Sequence, residues 1–337
     1  MGAPTLEAGD TRAEALVASK AARRIPPALR WPLNVLRRGV VVLGLVVVIT
    51  FLLVRILPGD PADALAGQHA SPAARDAIRA RLGLDGSLWH QFTSYVGGLV
   101  TGDLGTSVSQ GGVSVGSIIG HALPITLALV AGAIVVALVV GIALGLFAGH
   151  SEGAVDVATR SLLTTMLTVP PFFLGLLLIW GLALAMPIFP AGGWQGWASS
   201  PSYLVLPIVS LSIALIPLVA RATRQSAKEA LGEMWVEAAE ARGLGRARMA
   251  LRHILPNSVL PVITLVGYNA GVLISGAVVV EAVFSLPGIG QQLVDAVTQR
   301  DYPVIQGIAL TCAVAVVIFN AITDILYGWV DPRVRRA

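Results

Sequence analysis

The sequence predicts an all-α membrane protein with six transmembrane helices. Three observations carry that expectation: an apolar composition, six apolar runs long enough to cross a bilayer, and a lopsided distribution of basic residues. Of the 337 residues, 55% are hydrophobic and 12% charged, and the mean hydropathy is +0.78. A soluble domain carries about 25% charged residues, so the chain reads as one integral membrane domain.

A hydrocarbon core about 30 Å thick takes about 20 helical residues, because lipid offers the backbone no hydrogen-bond partners. Residues 39–57, 122–149, 160–186, 203–222, 258–284 and 304–329 meet that demand. An even number of spans puts both termini on one side. Eighteen of the 23 Lys and Arg fall on the two tails and on the loops between spans two and three and spans four and five. The other side has only Arg55, Arg75, Arg79, Arg81 and Arg300. Basic residues are retained preferentially in the cytoplasm, so both termini are expected there. The formal charge of +4 is assigned to this topology. No basic stripe interleaved with aromatics lies outside the apolar runs, and no nucleic-acid partner is expected.

Taken in order, residues 1–36 are a cytoplasmic tail rich in Ala, Arg and Pro, without an apolar period, and are expected to be disordered. The transmembrane domain is 37–330, and 331–337 is a cytoplasmic tail. Arginines before the first run imitate a signal peptide, but Leu57-Pro58-Gly59-Asp60-Pro61 follows it instead of a small-residue cleavage site. The run is therefore a retained span. Residues 58–121 form an external segment too long for a simple connection. Ser71-Pro72 caps a helix that Gly83 stops. Leu88, Phe92, Tyr95 and Leu99 recur at helical spacing until Gly102-Asp103-Leu104-Gly105 breaks the pattern.

Gly141, Gly145 and Gly149 repeat every four residues in the second span, and Gly267, Gly271 and Ser275 do so in the fifth. Faces without side chains let another helix approach closely, and tight packing is the favoured reading over substrate lining. Pro170-Pro171 and Pro217 are expected to bend their spans.

The most informative stretch is the cytoplasmic loop 221–256. Leu231, Met234, Trp235 and Ala238 follow i, i+3, i+4, i+7 spacing, so a short helix presents an apolar stripe to something other than lipid. Gly243-Leu244-Gly245 ends it. A basic helical stretch with Arg246, Arg248 and Arg252 leads to Ile254-Leu255-Pro256. An amphipathic helix lying on anionic membrane lipid is the plainer alternative.

Glu237-Ala238-Ala239, Gly243 and Ile254-Leu255-Pro256 resemble the EAA loop of permease subunits in binding-protein-dependent ABC importers. Further blocks resemble the peptide and nickel branch of that family, its dipeptide and oligopeptide permeases. These are Leu57 to Pro61, Gly102 to Gly105 with Ser107, Leu123-Pro124 with Thr126-Leu127, and the run through Gly276, Val280-Glu281, Phe284-Ser285, Pro287-Gly288, Asp301-Tyr302-Pro303 and Asp331-Pro332-Arg333. The departures are Glu240, where peptide-type members often have a basic residue, and an isoleucine one residue later than the pattern.

The resemblance implies a type I ABC importer permease-like fold in a bacterial inner membrane. It also implies an ATPase-coupling helix carrying Leu231, Met234, Trp235, Glu237, Ala238, Ala239, Glu240 and Gly243. The implied partners are a homologous second permease, two cytoplasmic ATPase subunits or domains that hold ATP and Mg, and an extracytoplasmic peptide-binding protein. No cofactor is expected in this chain, and the substrate-binding residues stay unknown. A nickel importer permease and an ATP-independent channel or secondary carrier remain alternatives.

An enzyme reading finds little support. Gly112-Val113-Ser114-Val115-Gly116 matches G-x-S-x-G, with His121 nearby, but that motif needs a strand, a strained turn and a helix. Neither Lys20 nor Lys228 follows a phosphate-loop pattern. The five histidines are scattered and Cys312 is the only cysteine, so no metal site is expected. Arg55, Glu281 and Asp324 lie near span ends, where snorkelling or a structural ion pair is favoured over substrate binding.

Overall fold

The computed structural model describes residues 27–56, 71–73, 76, 79, 86–197 and 201–330. The tails 1–26 and 331–337, the Leu57 to Pro61 block, the side chain of Arg55 and most of the helix expected after Ser71-Pro72 lie outside the described residues. Among those residues there is no strand, only an isolated bridge between Thr106 and Ser114.

Helix α1 (Pro27–Ile56) covers the first expected span and turns Val41, Leu45, Val48 and Leu52 outward, as a lipid-facing helix does. Its buried Phe51 meets Phe92 and Tyr95 of α2 (Leu88–Thr101), with ring centroids 5.1 and 6.0 Å apart. The Ser87 hydroxyl caps α2 by accepting from the His90 amide.

Helix α3 (Val115–His150) is the longest. It starts seven residues before the expected span, directly after Ser114 at its N-cap. The third span is not one helix. Residues Gly153–Thr168 (α4) and Pro171–Leu178 (α5, continued by π-helical turns to Ala185) meet at 97°. Pro171 opens α5 at a position where its missing N–H is harmless. The fourth span also bends: Val205–Ser212 (α6) and Ile216–Leu231 (α7) form the arms of a 57° break, with Pro217 in the first turn of α7. Both bends expected from proline are present.

The chain continues through α8 (Met234–Ala241), α9 (Arg246–Met249) and π-helical turns to Ile254. Then come α10 (Leu255–Phe284), α11 (Ile289–Gln299) and α12 (Tyr302–Val330). Among the described residues three stretches are long and apolar enough to cross a membrane alone: Val115–His150, Pro261–Phe284 and Tyr302–Ile325. The number is five if each bent pair is one span, and α1 lies where the remaining one is expected.

The main core lies between α3, α6, α7 and α10, around Leu129, Ala133, Ala137, Leu211, Leu215, Val219, Leu273, Ala277 and Phe284. Glycines set its tightest interface. A Cβ on Gly141 meets Val219 at 2.8 Å, one on Gly145 meets Thr223 and the Ala220 carbonyl at 2.6 Å, and one on Gly149 meets Ala227 at 2.6 Å. The glycine face of α3 therefore packs on α7. Gly267 and Gly271 likewise face Thr323 and Val316 of α12, whereas Ser275 is exposed. A second core, Val115, Ile118, Ile119 and Ala122 with Ile289, Ala296, Val304 and Ile308, joins α3 to α11 and α12.

Candidate coupling site

Helix α7 ends at Leu231, and Gly232-Glu233 turns the chain into α8. Val236 is 2% exposed and Ala239 half-buried. Both pack with Ala227 and Ala230 of α7, Met249 of α9 and Ile254 in the turn that precedes α10. The seated face of α8 is thus Val236 and Ala239, three residues apart and on one side of a helix. Met234 is 84% exposed and faces away from the bundle, whereas Trp235, 39% exposed, is more than half covered.

This corrects the stripe expected from spacing. Leu231 belongs to α7 and packs against the same cluster, so it does not share a helix with Met234 and Trp235. The physical reason is the Gly232-Glu233 break, where the Gly232 amide donates to the Glu229 carbonyl and closes α7. Glu237, Ala238 and Glu240 stand in α8, but their side chains lie outside the described residues.

Gly243 terminates the unit as expected. It adopts φ +78° while the Leu244 amide donates to the Ala239 carbonyl at 3.2 Å, and both Leu244 and Ala239 join the apolar cluster. That bond and contact make a Schellman ending, which wants a left-handed residue at this position. A Cβ on Gly243 meets nothing within 4 Å, so the backbone angle and not space selects glycine.

A second feature at this end escaped the sequence reading. Asp156 of α4 is 6% exposed and gathers three cations. Its Oδ1 accepts from Arg224 Nε at 3.0 Å and Nη2 at 2.7 Å; Oδ2 lies 3.2 Å from Arg160 and 3.4 Å from Lys228. Arg221 donates to the Thr164 hydroxyl at 2.9 Å. Together these bonds fasten α7 to α4, beside a groove lined by Val157, Arg160, Ser161, Thr164 and Thr165. The only advance signal is a pair of acidic residues, Glu152 and Asp156, opposite a loop with seven basic ones.

At the other end of the bundle, Glu281 is fully buried. It does not snorkel and has no ion-pair partner among the described residues: Thr126 Oγ1 donates to Oε1 and the Gly290 amide to Oε2, both at 2.6 Å. The same Thr126 hydroxyl accepts from the Ile289 amide at 2.9 Å. The carboxylate therefore neutralises amides at the start of α11 and ties that helix to α3. Asp301, fully buried, accepts from the Ser107 hydroxyl and from the amide and hydroxyl of Ser109. Asp324 is half-buried near the end of α12.

The hydrolase pattern has no elbow. Ser114 sits at the N-cap of α3 after left-handed glycines and no strand, and His121 Nδ1 lies 2.7 Å from the Ser117 carbonyl. Among the described residues no three His, Cys, Asp or Glu side chains form a metal-binding group.

Two family models match the chain. One, described as a binding-protein-dependent transport system inner membrane component, covers residues 141–336; the other, the N-terminal part of such a component, covers 29–130. The glutathione transport system permease protein GsiC of Escherichia coli is 35% identical over 293 residues, spanning 87% of this chain and 94% of that protein. The dipeptide transport system permease protein DppB of Escherichia coli is 33% identical over 319 residues, spanning 86% and 94%. A chain of the MetNI methionine ABC transporter, solved in inward-facing conformations, aligns with a TM-score of 0.48 at 16% identity, covering 64% of this chain and 96% of that one.

Proposed function

The chain belongs to the family of binding-protein-dependent transport system inner membrane components, and from that premise we propose that it is the pore-forming permease of an importer that moves small peptides into the cytoplasm. The observation that carries the substrate class is the pair of relatives aligned over almost the whole chain. One is named for glutathione, chemically a tripeptide, and the other for dipeptides.

In this reading ATP and Mg are held by two separate cytoplasmic ATPase subunits or domains. A homologous second permease completes the pore, and an extracytoplasmic peptide-binding protein delivers the ligand. The asymmetry of basic residues supports cytoplasmic termini and a cytoplasmic α8. The exposed Met234 supports α8 as the helix that seats in the ATPase. Val236 and Ala239 share a cluster with the end of α7 and with Ile254, the last residue of the turns that run into α10, so displacing α8 pushes on both. Through Arg224 and Asp156 the push reaches α4, the lower arm of the bent third span. ATP binding closes the ATPases and turns the pore outward; hydrolysis resets it.

The test is uptake of labelled dipeptides, tripeptides and glutathione by cells lacking this gene, with and without its restoration. Loss and return of one size class supports the reading. Unchanged peptide uptake together with lost nickel uptake transfers the permease to the nickel alternative.

A further inference from the structure

Helix α2 takes no part in the coupling described above. None of its 14 residues is Asp, Glu, Lys or Arg, whereas the chain just before it carries seven such residues from Asp60 to Asp85. Its side chains sort into three faces. Phe92, Tyr95 and Leu99 are half-buried and share one side. Trp89, Thr93 and Val100 fall within about 40° of one another at 3.6 residues per turn, and Trp89 is 73% and Val100 82% exposed. His90, Ser94 and Thr101, all exposed, lie about 100° further round. An apolar stripe open to the surroundings, between a packed face and a polar one, is what a helix lying in a membrane boundary presents. The Thr93 hydroxyl within that stripe donates to the Trp89 and His90 carbonyls, both at 3.0 Å, so it needs no water.

Contacts at both ends set the depth of α2. At its start, Phe92 and Tyr95 pack on Phe51 of α1, and the Trp89 ring lies 6.0 Å from that of Phe92. Beside Phe51, the Thr50 carbonyl accepts from Gln306 Nε2 at 3.2 Å. Gln306 is four residues after Tyr302, where the last span begins, about 6 Å along its axis. Just beyond the other end of α2, a Cβ on Gly105 lies 3.7 Å from Pro303. Both ends, about 21 Å apart at 1.5 Å per residue, are therefore level with the first turns of α12, and α2 runs along the membrane boundary there. Its backbone suits a place short of water. The Ser87 hydroxyl caps the start, and at the end the Gly102 amide, in a left-handed turn, donates back to the Leu99 carbonyl at 3.2 Å.

We propose that α2 is an uncharged interfacial anchor: its Trp89–Val100 stripe lies among phospholipids at the membrane boundary where α12 begins, with His90, Ser94 and Thr101 turned to water. The inference rests on the chain crossing a membrane and on neither the substrate class nor the side that faces the cytoplasm. Lipid is the occupant because the stripe continues the lipid-facing surface of α1. Leu52 and Leu53, which follow Phe51 directly, are 47% and 52% exposed. Tryptophan suits this boundary, since its ring is apolar and its N–H seeks a polar partner. A helix without charges has no electrostatic preference between neutral and anionic head groups. The anchor also holds the segment that follows it, because the Ser107 hydroxyl bonds Asp301 at the start of α12.

The experiment is spin-label accessibility in the full-length protein, purified with whatever subunits accompany it and reconstituted into vesicles. In a Cys312→Ala background, single Trp89→Cys, Val100→Cys, Ser94→Cys and Thr101→Cys variants carry a nitroxide. Collisions with oxygen, which concentrates in lipid, are compared with collisions with a water-soluble nickel chelate. The expected oxygen-to-nickel ratio is about fivefold higher at positions 89 and 100 than at 94 and 101, as for the two sides of a boundary helix. It is expected to be the same in phosphatidylcholine vesicles and in equal mixtures with phosphatidylglycerol. Ready nickel access at all four positions overturns the proposal, since α2 then stands free in water. Poor access of both reagents at 89 and 100 overturns it as well, because protein then covers the stripe. A difference confined to the anionic vesicles refutes an uncharged anchor. Val100→Cys changes little volume and keeps the test valid where Trp89→Cys misfolds. Transport does not enter the readout, so a failed peptide assignment leaves the result standing.

Discussion

Ser107 and Asp301 are 194 positions apart in sequence, and the Ser107 hydroxyl donates to Asp301 Oδ2 at 2.5 Å. The bond fastens the segment before α3 to the corner between α11 and α12. Burial, the largest single influence, raises the Asp301 pKa, but the donors at Ser107, Ser109 and Val108 together outweigh it and hold the carboxyl below 3.8. A folded-state pKa below the unfolded one adds stability that is complete above the unfolded value and vanishes as pH falls through the folded one. Thermal unfolding in detergent is expected to be insensitive to this group from pH 7 down to about 4, near the free carboxyl value, and to decline below. Asp301→Asn removes that acid-side decline and lowers stability at pH 7 by about 1–3 kcal/mol, since all three bonds then go to an uncharged carbonyl oxygen and the amide NH2 takes the buried, unpaired place of Oδ1.

Glu281 gives a second prediction from hydrogen-bond accounting. Glu281→Ala strands the Gly290 amide and the Thr126 hydroxyl in a buried site, at about 1–3 kcal/mol for each unpaired group. Glu281→Gln keeps the shape and one good acceptor, so its loss is smaller. Melting temperatures of the two variants in detergent, with Thr126→Val as a third, check the order. Equal melting of Glu281→Ala and wild type refutes the role assigned to the carboxylate.

The α3–α7 interface predicts a steep dependence on size. Gly145→Ala places a methyl 2.6 Å from Thr223 Cβ and from the Ala220 carbonyl, where backbone cannot give way cheaply. Overpacking of this kind costs about 1–3 kcal/mol. Gly120→Ala on the same helix meets nothing within 4 Å and is expected to be neutral. Expression and detergent melting of the pair distinguish a helix contact from a general intolerance of α3.

Much of this was legible in the sequence because the signals are local. Proline removes an N–H wherever it stands, so the breaks at Pro170-Pro171 and near Pro217 follow from residue type alone. Glycines four apart announce a close helix contact, though not which helix fills it. The stripe from Leu231 to Ala238 failed for a local reason too: periodicity counted through Gly232, and the chain does not continue its helix there. Asp156 with Arg224, Thr126 with Glu281 and Ser107 with Asp301 were out of reach. They lie 68, 155 and 194 residues apart, and a single sequence carries no pairing rule at such separations.

The Asp156 clamp predicts a coupling phenotype. Asp156 and Arg224 have side chains 9% and 16% exposed, so removing one partner leaves a poorly solvated charge. Asp156→Asn is expected to lower peptide uptake several-fold while the protein still reaches the membrane, because α4 no longer follows α7. Arg224→Lys keeps a cation but loses the two-pronged geometry, and an intermediate uptake is expected. Lys228→Ala touches a longer, more exposed contact at 3.4 Å and is expected to change little. Identical uptake by all three variants removes the clamp from the mechanism.

The ending of α8 provides the sharpest test of force transmission. Gly243 needs its left-handed backbone, and a Cβ there has open space, so Gly243→Ala perturbs the turn alone, by about 1 kcal/mol. Gly243→Pro cannot adopt a positive φ at all and unseats Leu244 from the cluster. Both changes lie outside the apolar spans, so membrane insertion is expected to survive in each. ATPase co-purification and ligand-stimulated ATP hydrolysis are expected to fall slightly for Gly243→Ala and to collapse for Gly243→Pro. Val236→Asp, which buries a charge between α8 and its seat, is expected to reproduce the collapse without touching the turn. Stimulated hydrolysis at wild-type level in Gly243→Pro and Val236→Asp means that α8 does not carry the motion, however well it is placed to do so.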